Sequence, residues 1–298
     1  MPECYTHQYI ASLAMMRSGK IITSRPAFLA GVNGPDPLYF YHAWRKKKTP
    51  DLPALAERMH REKTGAFLLA LVRLSMTQVE QNYALGFLAH YAADCVLYPY
   101  VEAMCQPGKP YDGAKGSNWM QTALDSELYY SDYKMRLVPL HSGTPVLITD
   151  ELAQVTHLLH SAILQVYGSE ISPIALADAF HDNMTVRKFF VSKTGGKKAL
   201  AIFLETFLFG KKGRYAIRSR MQPTGKLKKL PGRWANPYTG EEYDLTLEEV
   251  LHIAGQTAAA YVAAAMDFWL GLIDSSQLAH VLGDNNYYTG LPNNALPV

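Results

Sequence analysis

Apolar residues recur at helical spacing through most of the chain. From Asp51, the run DLPALAERMHREKTGAFLLALVRLSM sets them behind an Asp suited to capping and a Pro suited to a first turn, which predicts a helix. Ala56, His60, Phe67 and Leu71 share its apolar side, so His60 is aimed inward. The next helix, QVEQNYALGFLAHYAADCVLY, is expected to end near Pro99. Within it Phe87, His90, Asp94 and Tyr98 fall along one stripe, so a histidine and an aspartate one turn apart point the same way from an almost wholly apolar run. A third helix follows the Gly/Pro-rich QPGKPYDGAKGS and runs through NWMQTALDSELYYSDYKMRL. Thr149 and Asp150 open ELAQVTHLLHSAILQVYG, and ISPIALADAFHDNMTVRKFFV and GKKALAIFLETFLFG read as further helices. Thr246 and Glu249 form a capping box for LEEVLHIAGQTAAAYVAAAMDFWLGLI. Alternation of period two is scarce, and the basic, Gly- and Pro-rich text over about 210–242 reads as a long surface loop. With no internal repeat or domain boundary, residues 1–298 read as a single all-α domain, a multi-helix bundle.

Composition sharpens this only in places. Nearly half of the 298 residues are apolar, enough for a sizeable core, and a formal net charge of +3 lacks the excess of a dedicated nucleic-acid binder. Cys4, Cys95 and Cys105 are too few for a disulfide framework and suit a reducing compartment. The opening MPECYTHQYIASLAMMRSGK has no secretory pattern, and no run is apolar enough to span a bilayer, so a soluble, cytoplasmic protein is expected. The basic stretch from Lys211 to Arg233, with Tyr215 and Trp234 within or beside it, could suit lipid phosphate or single-stranded nucleic acid; a solvated loop is the alternative.

Polar groups aimed inward or held in loops are His7, Asp36 in GVNGPDPLYFYH, His60, and the pair His90 and Asp94. An isolated buried carboxylate is costly, so Asp94 calls for a cation beside it, and imidazole with carboxylate is a ligand set that suits zinc. An internal hydrogen-bonded pair is the competing reading of His90 and Asp94, and Asp36 could instead shape a turn. His157 with His160, and His181 with Asp182, lack a completing ligand set. Neither a G-x-S-x-G nor a G-x-x-x-x-G-K-[ST] pattern is present, so a serine nucleophile of that type and a P-loop are unsupported.

The segments THQYIA, AFLAGVNGPDPLYFYH, MHREKTGAFLLAL, YALGFLAHYAADCVLYPY and RWANPYTGEEY, in this order, resemble the bacterial zinc-dependent phospholipase C family, which shares an all-helical fold with the P1 nucleases. The resemblance implies zinc ions in a cleft between helices, cleaving a phosphodiester. It implies that His60, His90 and Asp94 hold one ion, with Asp36 beside it as ligand or general base, and that Asp94 bridges to a second ion held by His7. Cys4, in Cys-x-x-His spacing, could complete that second ion, although a solvated thiol is expected. The chain departs from the family where a third ion would sit: Tyr98 stands for a histidine, and Gln121 and Asp125 for a His–Glu pair, with Glu127 a further carboxylate nearby. One or two zinc ions are therefore expected rather than three. Two readings follow: a metal-dependent hydrolase of a phospholipid headgroup or similar phosphodiester, or a degenerate member that binds one metal or none in a structural or ligand-binding role. A nuclease is the lesser enzymatic alternative.

Overall fold

The computed structural model describes residues 4–19, 21–45, 48–113, 115–209, 220–222 and 226–294. These form twelve α-helices, a 3-10 turn at Asp36–Phe40 and one two-stranded hairpin. The helices are α1 (Cys4–Ser18), α2 (Arg25–Val32), α3 (Leu52–Arg61), α4 (Thr64–Leu74), α5 (Gln78–Cys105) and α6 (Gly116–Tyr133). The rest are α7 (Leu140–Gly143), α8 (Thr149–Tyr167), α9 (Pro173–Phe190), α10 (Gly196–Phe209), α11 (Leu247–Trp269) and α12 (Ser275–Leu282). The protein is thus mostly helical, as the periodicity implies, and one continuous apolar core runs from Ile10 to Tyr287.

Helix α5 is the axis of this core. Every residue from Asn82 to Met104 except Val96 and Glu102 is buried, and α1, α2, α4, α6, α8 and α11 pack around it. A helix apolar on all sides has to be enclosed in this way. Thr77 Oγ1 accepts the Glu80 N–H while Glu80 reaches back to the Thr77 N–H, which fixes its start. The expected stop at Pro99 is wrong: the helix continues to Cys105. Pro99 supplies no N–H to the Cys95 carbonyl, and Gly290, with φ +68°, lies against that oxygen so closely that a Cβ would stand 2.4 Å away. Helices α2 and α5 meet backbone to backbone, because a Cβ on Gly31 would lie 2.0 Å from the Tyr83 carbonyl oxygen and one on Gly86 2.1 Å from that of Phe28.

Other expectations need correction. The helix read from Asp51 is two helices, broken at Glu62 and Lys63, where Lys63 takes a left-handed φ of +54°. The N–H of Gly65 at the start of α4 is satisfied from far away, by Asp284 Oδ1 at 2.8 Å. The stretch read as a surface loop ends in a hairpin, β1 (Arg233–Ala235) with β2 (Glu242–Asp244), paired antiparallel with Trp234 opposite Tyr243. Trp234 is buried edge-on against Tyr100 rather than offered to a ligand, whereas Lys211 and Tyr215 lie outside the described residues. No helix among the described residues is long and apolar enough to cross a membrane.

Candidate metal centre

Four elements deliver the residues singled out above to one place in the core. His7 comes from α1, Asp36 from the 3-10 turn after α2, His60 from the last turn of α3, and His90 and Asp94 from the middle of α5. All five are at most 2 % exposed. His60 Nε2 lies 3.6 Å from Asp36 Oδ1 and 3.9 Å from Asp94 Oδ2, and His90 Nε2 lies 3.2 Å from Asp94 Oδ2.

Backbone carbonyls fix how these imidazoles face. His60 Nδ1 is 2.7 Å from the Ala56 carbonyl oxygen and His90 Nδ1 is 3.1 Å from that of Val32. A carbonyl can only accept, so each Nδ1 carries a proton, and Nε2 of each ring is turned inward, where in the neutral form it presents a lone pair. Asp36 Oδ1, His60 Nε2, His90 Nε2 and Asp94 Oδ2 are all buried without a hydrogen-bond partner. Four acceptor atoms that face one another without a donor repel unless a positive centre joins them, either added protons or a metal ion.

The geometry fits an ion. Ligand atoms about 2.0–2.1 Å from a tetrahedral ion stand about 3.4 Å apart, and three of the separations here, 3.2, 3.6 and 3.9 Å, bracket that value. Two overlapping groups, Asp36 with His60 and His90, and His7 with His90 and Asp94, each have ligand atoms within 4.8 Å of one another and could hold a metal ion. They differ in one respect. His7 Nε2 already has a partner, Asp94 Oδ1 at 2.9 Å, and its ring stacks on His90 at 4.3 Å. Because a carboxylate accepts, His7 Nε2 donates and orients Asp94.

The charges call for the same positive centre. Burial pushes the Asp94 carboxyl up, and protons added to the His90 and His7 imidazoles, the alternative to an ion, outweigh it and hold the group well below the usual carboxylate range. Asp36 is likewise raised by burial and lowered further by His60 and His90, with a net fall. Both remain anionic near neutral pH.

Gly34 makes room for His90. Its φ is +52°, and a Cβ there would lie 2.2 Å from His90 Cδ2. Gly34→Ala is therefore expected to cost about 1–3 kcal/mol of stability and to weaken metal binding at least about tenfold by displacing the His90 ring. Urea melts and metal titration of the variant check this, and an affinity equal to wild type would contradict it.

The third-metal positions have other duties. Asp125 accepts the Tyr5 and Thr6 N–H groups at 3.0 and 2.7 Å and the Thr6 hydroxyl at 2.6 Å, all in the first turn of α1. Gln121 Nε2 donates to Ser117 Oγ, and Glu127 pairs with Arg136 at 2.6 Å. The Tyr98 hydroxyl is buried and unpartnered, and burial together with the Asp94 and Asp36 charges keeps it a neutral phenol. Cys4, expected to be solvated, is buried and belongs to neither metal-binding group. His160 Nδ1 donates to the Ile171 carbonyl and Asp182 accepts the His42 N–H, so these outlying candidates have structural partners.

Sequence reasoning missed the outer side of the site. Tyr39 and Tyr288 both donate to Glu57 Oε2, at 2.8 and 2.9 Å, and the Tyr288 ring stacks on His60 at 5.3 Å. Arg61 pairs with Glu57 and lies over the Tyr288 ring, 4.7 Å from its centre. This half-buried cluster separates His60 from solvent. The C-terminal segment closes over it, as the Tyr287 N–H donates to the His60 carbonyl at 2.9 Å. The only sequence signals were an aromatic beside Asp36 and the turn-forming NNYYTG.

No family model matches the chain, and no curated protein or solved structure matches it.

Proposed function

We propose that the chain is a zinc-dependent phosphodiesterase of the phospholipase C type, acting on a phospholipid headgroup or a similar small phosphodiester. The observation that carries this reading is the set of four unpartnered lone pairs on Asp36, His60, His90 and Asp94 converging from three elements. Two imidazoles and two carboxylates suit zinc by ligand type and spacing, and the segments that resemble the family contain all four residues. When bound, the ion would supply Lewis-acid polarisation of a phosphoryl oxygen and acidification of water.

The chain's own groups have defined work in such a reaction. Asp36, kept anionic, would accept the proton of the attacking water. The unpartnered Tyr98 hydroxyl would donate a hydrogen bond to a phosphoryl oxygen. His7 would hold Asp94 in orientation, and Glu57 would hold the phenols of Tyr39 and Tyr288 on the solvent side of His60.

Burial favours a second reading, a structural ion. Structural sites are closed and catalytic ones keep an open position, and every candidate ligand here is nearly inaccessible. Assay of the zinc-loaded protein on bis-p-nitrophenyl phosphate separates the two. Turnover that Asp36→Asn lowers by about 100-fold or more supports the hydrolase. Stoichiometric zinc without turnover on this or a phosphatidylcholine substrate supports the structural role.

A further inference from the structure

Basic residues are distributed very unevenly along the chain. Between 183 and 240 there are fourteen Lys and Arg against a single acid, Glu205, while the rest of the chain, with fifteen basic and 25 acidic residues, is net negative. The near-neutral total conceals a strongly cationic segment on an anionic body. Such a segment is drawn to an anionic surface.

Helix α10 lies within this segment and carries the opposite of a soluble helix's outer face. Leu200, Phe203, Leu204 and Phe207 recur at the i, i+3, i+4, i+7 spacing of one helical stripe, and all four are exposed, Phe203 at 64 % and Phe207 at 77 %. The Phe203 and Phe207 rings stack on each other at 6.2 Å. On the neighbouring turn Ala201 is buried, so the helix is seated on the protein with its apolar stripe outward. Lys188 and Lys193 are exposed at the corner between α9 and α10, and Lys197 Nζ sits 5.4 Å from the centre of the Phe189 ring. Phe189 in turn meets the exposed Trp44 edge-on at 6.3 Å.

We propose that α10 is a membrane-surface docking helix, which lays Leu200, Phe203, Leu204 and Phe207 into the headgroup boundary of an anionic lipid bilayer while the flanking lysines pair with its phosphates. A Phe/Leu stripe bordered by lysines has the composition of a helix that lies in the interface plane. Aliphatic Leu200 and Leu204 would gain nothing from a nucleic acid, whose bases reward stacking aromatics in a groove. The helix is too short and too interrupted by charge to cross the bilayer. The docking surface stands independently of the metal centre, so its test requires neither zinc nor turnover.

Vesicle co-sedimentation of the full-length protein, compared between phosphatidylcholine and mixed phosphatidylcholine–phosphatidylglycerol vesicles, provides that test. Binding is expected to the anionic vesicles only and to weaken as salt rises. Phe203→Glu with Phe207→Glu should reduce partitioning at least about tenfold, and Lys188→Glu with Lys193→Glu should do so by about tenfold or more. All four side chains are exposed, so far-UV circular dichroism should match wild type. Failure of the wild type to bind anionic vesicles overturns the proposal, as does binding that both double variants leave unchanged. Tight binding of a single-stranded oligonucleotide without vesicle binding would likewise overturn it, and assign the cationic segment to nucleic acid.

Discussion

Asp94→Asn is expected to abolish stoichiometric metal binding, with affinity lowered well beyond about 100-fold, the upper range for losing an outer-shell partner. Asp94 is the group that reaches all three histidines of the site: Oδ2 faces His60 and His90, and Oδ1 accepts from His7. The amide removes the negative charge that offsets the ion and the surrounding imidazoles while keeping the volume. In wild type, metal at about a thousandfold excess over its Kd should add about 4 kcal/mol of stability, which for a chain of this length raises Tm by about 6 °C. That shift should vanish in Asp94→Asn. His7→Ala separates the two roles open to His7. As a partner that orients Asp94, its loss should leave one metal per chain with affinity lowered about 10- to 100-fold; as the ligand of a second ion, its loss should halve the metal content. Elemental analysis and metal titration read both results. Metal retained at wild-type affinity in Asp94→Asn would remove the site.

Local signals in the sequence translated directly into structure. The Asp51 cap, accepting the Ala54 N–H at 3.1 Å, and the Thr246–Glu249 box depend only on neighbours, and both form. His60, His90 and Asp94 could be aimed inward because an apolar helical stripe fixes which way its polar members point. What escaped was decided by distant residues. Nothing near Lys63 marks the break between α3 and α4, since the acceptor that stabilises the new start is Asp284, 219 positions away. Nothing near Pro99 shows that α5 continues, because the carbonyl it leaves free is covered by Gly290. Tyr39, Glu57 and Tyr288 share no period and meet only when the C-terminal turn folds over α3. Motif spacing sets Tyr98, Gln121 and Asp125 at zinc-ligand positions, whereas the carboxylate of Asp125 is taken up by the start of another helix.

That capture makes Asp125→Ala the most destabilising substitution expected outside the ligands themselves. The first N–H groups of a helix have no backbone partner within it. Asp125, fully buried on α6, takes their place: Oδ2 accepts from the Tyr5 N–H, and Oδ1 accepts from the Thr6 N–H and hydroxyl. Its negative charge also opposes the positive end of the α1 dipole. Truncation leaves three buried donors without acceptors at about 1–3 kcal/mol each, so a loss of about 3–5 kcal/mol is expected in urea melts of the metal-free protein. Asp125→Asn retains acceptor capacity without the charge and should recover part of it. The consequence reaches the metal centre through one peptide bond, because His7 directly follows Thr6 and can hold Asp94 only while the start of α1 is pinned. Asp125→Asn should therefore keep one metal per chain at reduced stability. If Asp125 were itself a ligand, the order would reverse, with metal content falling while the unfolding free energy of the metal-free protein stayed within about 0.5 kcal/mol of wild type.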